Sequence, residues 1–158
     1  MTRRQALAAA VTGLCLAGLV AGCAGKSDQD KQRDRIEEAQ PRTDVEPITK
    51  RWPQLGGIQQ AHWVGGTLTS DGSPGPSSYF IEAVVILAPA DLARLTSQHH
   101  FSPAPTRPDP PASLRPHLRE GNWLSDAEVD QAFSPPNWVS HIYVQPDNAL
   151  AYISAKGQ

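Results

Sequence analysis

The chain has 158 residues, with 14 Lys and Arg against 16 Asp and Glu, a net charge of -2 with neutral His, and a mean hydropathy of -0.40. That length accommodates one domain with a modest core, and the slight acidic excess excludes a basic surface of the kind that binds nucleic acid. Both cysteines, Cys15 and Cys23, fall near the N-terminus, so the remainder has none for a disulfide and must be held by packing.

Arg3 and Arg4 precede an uncharged run, residues 6–22, built only from Ala, Leu, Val, Gly, Cys and Thr. This is the positive start, apolar centre and small-residue cleavage site of an export signal. At its end, Leu19-Val20-Ala21-Gly22-Cys23 resembles the lipobox of bacterial lipoproteins. The resemblance implies cleavage before Cys23, a diacylglyceryl group on its thiol, and residence on the outer face of the cytoplasmic membrane. Each buried acyl CH2 contributes about 0.8 kcal/mol and one chain binds only marginally, which is why a two-chain anchor is needed. An uncleaved spanning helix is the competing reading, but the run falls short of the roughly 20 apolar residues that a bilayer requires. Arg3-Arg4 also resembles a twin-arginine signal, with Ala6 where that motif has Phe; general secretion and the twin-arginine route both stay open.

Residues 23–47 are charged in both signs and poor in large apolar groups, which predicts a disordered or transiently helical tether reaching roughly 25 Å. Asp28, Asp30 and Asp34 invite comparison with a calcium loop. Arg33 stands where that loop needs Gly and Ala39 where it needs Glu, so the comparison fails.

The folded domain is expected over residues 48–158. Ile58 to Val64 alternates like a half-buried strand, and Gly65-Gly66 ends or bulges it. Residues 70–78 form a loop rich in Gly, Pro and Ser; with two prolines and no Gly-Lys-Ser/Thr, it is a connection rather than a phosphate cradle. Tyr79 to Leu87 is the strongest strand. Alternation places Tyr79, Ile81, Ala83, Val85 and Leu87 on one face and Phe80, Glu82, Val84 and Ile86 on the other.

Pro89 to Leu95 predicts a short helix, with His99-His100 at or past its end as polar groups rather than a metal pair. Six prolines between Ser102 and Pro116 demand an extended connector, or else a proline-rich ligand for another protein. Ser125 and Glu128 have the spacing of a capping box for a second helix through Phe133. Residues 139–144 and 149–153 flank Gln145-Pro146-Asp147-Asn148 as a hairpin. The sum is a small α+β domain of about four mostly antiparallel strands, with two short helices on one face.

If the face bearing Glu82 is open, His62, Glu82, His141 and Tyr143 are the polar residues expected to share it, and His-Glu-His suits zinc. Polar positions on a one-sided sheet explain the same residues without a site. No catalytic, cofactor or metal motif is present, and the four tryptophans are core with at most one ligand-stacking member. The whole chain resembles the small lipoproteins of actinobacteria, a likeness that implies location and no activity. Three functions follow as expectations: a non-enzymatic module engaging another envelope protein, a module binding a peptide, sugar or metal, and an envelope hydrolase. An exposed apolar patch favours the first, a concave pocket with convergent polar groups the second, and a titration-shifted group in a cleft the third.

Overall fold

Strand β2 (Tyr79–Leu87) is buried on both faces from Phe80 to Val85, as its nearly continuous apolar sequence requires. The computed structural model describes residues 27–69 and 76–158. The expected signal, Cys23 and most of the Gly-Pro-Ser loop therefore lie outside the described residues. Strand β2 pairs with β1 (Ile58–Thr67) on one side and β6 (Leu150–Gly157) on the other. The sheet continues through β5 (Trp138–Gln145) to the two-residue strands β4 (Leu124–Ser125) and β3 (Ser102–Pro103), in the order β1-β2-β6-β5-β4-β3. Every pairing is antiparallel. The fold is α+β as expected, with six strands and four helices among the described residues instead of about four and two. The extra strands are too short to show a two-residue alternation.

The first face carries Trp63, Ile81, Ala83, Val85, Ile142, Val144 and Ile153. Helices α2 (Glu46–Arg51), α3 (Pro89–Gln98) and α4 (Ala127–Phe133) cover it with Ile48, Leu92, Leu95, Val129 and Phe133, joined by Trp52 and Leu55. Leu92 and Leu95 lie one turn apart and so face the sheet together. Helix α4 is capped one residue later than expected. Asp126, not Ser125, accepts the Glu128 N–H at 2.8 Å, because Ser125 is committed to β4 opposite Tyr143.

The second face is not open. Val64, Phe80, Val84, Leu150 and Tyr152 need cover as much as the first face does, and Leu114 and Trp123 supply it, with Ile36, Ala39, Ala104 and Leu118 at the margin. Most of this cover is the proline-rich connector, which packs on the domain and includes a helical turn at Arg115–His117. The rest is helix α1 (Asp28–Glu38), in the segment expected to be a tether. Ser27 and Asp30 form a capping box at its start. Arg35 then donates to the Thr69 carbonyl at 2.8 Å, and Glu37 accepts the Ala112 N–H at 2.8 Å. The folded unit thus begins at α1, well before Ile48. Arg42 next exchanges two backbone hydrogen bonds with Trp63, at 2.8 and 2.9 Å, and shields the outer edge of β1.

Candidate functional site

Antiparallel register puts all four expected polar residues on the second face. His141, Ser154, Glu82 and Val64 form one cross-strand row, and Tyr143, Tyr152, Val84 and His62 form the next. A shared face does not make a shared site. His62 and His141 stand three strand spacings apart, about 14 Å, and each side chain is turned to a different partner.

Glu82 is 5% exposed, and it accepts hydrogen bonds from the Tyr152 hydroxyl at 2.5 Å and the Ser154 hydroxyl at 2.9 Å. Burial raises its pKa, against the opposing pull of those two donors and of the Lys156 and His141 charges. Burial and the adjacent carboxylate push the Tyr152 phenol well above its ordinary value. This is a closed, satisfied network beneath the proline-rich cover.

His141 lies 3.0 Å through Nδ1 from Asp130 of α4, whose other oxygen accepts the Ile142 N–H at 2.7 Å. His62 stacks on His117 of the cover, with ring centres 3.5 Å apart and planes 7° from parallel. Parallel rings at that separation aim their lone pairs side by side rather than at one point, so they do not chelate a common ion in this arrangement. Among the described residues, no group of three or more His, Cys, Asp or Glu side chains is placed to hold a metal. Tyr143 is half-buried, with its ring centre 6.0 Å from that of Tyr152.

A cleft of about 470 Å³ opens instead at the end of the sheet where β1 stops and β2 starts. Trp63, Thr67, Tyr79 and Trp138 line it together with Arg42 and Arg51. The Arg42 guanidinium lies 4.9 Å from the centre of the Trp63 ring, and that of Arg51 lies 6.0 Å from the centre of Trp138. Attraction to the negative ring faces restrains both cations. Trp63 is itself pinned by its indole N–H, which donates to the Asp44 carbonyl at 2.9 Å. Trp138 lies flat on Gly157, where a methyl group would meet the indole. Among the described residues neither guanidinium has a carboxylate partner. By contrast, Arg107 beside a second cleft of about 480 Å³ is held by both oxygens of Glu120, at 3.0 and 3.1 Å.

Arg42, Arg51, Thr67 and Tyr79 escaped sequence reasoning. They come from the expected tether, a short helix and two strand ends, and no local spacing links them; the tryptophans were the one available signal. No protein-family model matches the chain, and no curated protein or solved structure matches it either.

Proposed function

We propose that this protein is a non-enzymatic binding lipoprotein, anchored through Cys23 at the outer face of the cytoplasmic membrane, whose recognition site is the cleft at the end of the sheet. The observation that carries the reading is the convergence, in one concavity large enough for a small ligand, of aromatic walls and two restrained arginines that have no carboxylate partner among the described residues. Large exposed apolar side chains among the described residues are only Tyr79 at 42% and Val139 at 64%, which make no docking patch. The titration-shifted Glu82 is sealed under the cover, away from the clefts, which argues against hydrolysis. An envelope protein partner is accordingly the weaker alternative.

The test is thermal unfolding of the full chain against divalent metals, wall fragments and short peptides, repeated with Thr67→Trp, which fills the cleft from an exposed position. A ligand at a hundredfold excess over its Kd adds about 2.7 kcal/mol, a shift of several degrees. The reading expects a shift in the native chain that Thr67→Trp abolishes. A shift that survives the substitution would move the site elsewhere. For the anchor, Cys23→Ala is expected to release the protein from the membrane fraction, and retention would overturn the lipid attachment.

A further inference from the structure

Among the described residues, the two charged side chains that line the cleft are both cations, and Gln158, with its neutral side chain, lines it beside them. Arg42 and Arg51 offer guanidinium N–H groups, and Thr67 and Tyr79 offer hydroxyls. No Asp or Glu side chain among the described residues lines the cavity. Among the described residues, the Arg51 guanidinium makes one hydrogen bond, from Nη1 to the Pro47 carbonyl at 3.1 Å, which leaves the other N–H groups of its fork for a ligand. Arg42 is fixed from its backbone by the two bonds to Trp63 and from its head by the Trp63 ring. Two forks held in place, with no carboxylate partner among the described residues, suit an acceptor that carries negative charge on paired oxygens, because arginine meets carboxylate and phosphate with two parallel bonds.

Resting on the reading of this cleft as the binding site, we infer that its ligand is a small oxyanion, a carboxylate or phosphate monoester, bridged between Arg42 and Arg51. The aromatic walls contribute by orienting the two cations before the ligand arrives, which reduces the ordering cost of binding. Thr67 and Tyr79 complete the donor set at the rim. The oxyanion has two possible sources, a dissolved molecule or the headgroup of an anionic lipid, and both present the same chemistry.

The full chain in neutral detergent is titrated with glucose 1-phosphate, glucuronate and glucose, while NMR follows the indole N–H signals of Trp63 and Trp138. The two anions are expected to move both indole signals, with affinity falling as salt rises, and glucose to bind at least tenfold more weakly. Arg42→Gln and Arg51→Gln are each expected to weaken anion binding about tenfold or more, and a lysine in either place to restore only part of it. Equal movement by glucose and by the anions would overturn the oxyanion inference and leave the cleft as the binding site. No movement of either indole by any of the three probes, with Thr67→Trp also without effect on ligand-induced unfolding shifts, would overturn both. Vesicles of phosphatidylglycerol and phosphatidylcholine separate the sources. Arginine-dependent binding to the former alone supports a lipid headgroup, and binding to neither, with glucose 1-phosphate still bound, supports a dissolved ligand.

Discussion

His62 on the sheet and His117 on the proline-rich cover stack face to face, 3.5 Å between ring centres, and tie the cover to strand β1. Burial, and then the proximity of His62, hold the His117 pKa below its ordinary value. The unfolded chain therefore takes up this proton at higher pH than the folded one does. The stability linked to His117 is whole above the unfolded value, near pH 6.5, and is lost as pH falls from there through the lower folded value. Melting curves between about pH 7.5 and pH 5 are expected to show the native chain losing more of its melting temperature than His117→Gln. Parallel declines would show that the stack carries no such linkage.

Glu82 has the opposite sign. Its folded pKa is raised, so the cost of burying its charge is absent at low pH and grows as pH rises through the folded value. Glu82→Gln keeps an acceptor for the Tyr152 hydroxyl while removing the charge. The variant is expected to melt above the native chain at pH 7.5, with the gap closing towards the ordinary value of 4.5. Tyr152→Phe, which strips a donor from a buried carboxylate, is expected to cost about 1.5–3 kcal/mol at pH 7.5 by urea titration. A destabilised Glu82→Gln would mean that the carboxylate is better solvated than its burial implies.

Asp130 guards the flank of β5 that β4 is too short to reach. Its oxygen takes the outward Ile142 N–H, and Ser134 takes that of Ser140 at 2.8 Å. Asp130→Ala is expected to cost about 1–3 kcal/mol and to expose a strand edge, seen as concentration-dependent association in sedimentation. Asp130→Asn retains an acceptor and should stay monodisperse. Association of both variants alike would assign the effect to lost charge instead.

Leu114 is fully buried although it sits in a segment with almost no regular structure. Leu114→Ala is expected to destabilise by about 2–5 kcal/mol in denaturant titration, as for a leucine inside a helical core. A loss below 1 kcal/mol would show the cover to be a loosely applied strap.

The two long strands and the final hairpin were legible because their apolar residues run or alternate over many positions. The apolar members of the second face, Phe80 and Val84, were also visible, and they already demanded cover; what could not be read was its source. Helix α1 offers Ile36 as its one large aliphatic side chain, and the rest of its attachment is polar, through Arg35 and Glu37 to backbone groups far along the chain. Periodicity does not register such bonds. The expected site residues shared a face because alternation is reliable. They did not meet because lateral distance across a sheet depends on strand order, and β6, the last strand in sequence, is inserted between β2 and β5. Arg42 and Arg51 converge for the same unreadable reason, each brought by a segment whose docking partner lies elsewhere.

If Cys23 carries the proposed lipid, the docking of α1 leaves that anchor a short tether. With the helix cap at Ser27, four peptide steps remain between lipid and domain, and they span no more than about 14 Å at full stretch. A chain so tied would search for its ligand within the plane of the bilayer, where a short leash raises the local concentration of membrane-bound targets and excludes those across the thickness of the wall.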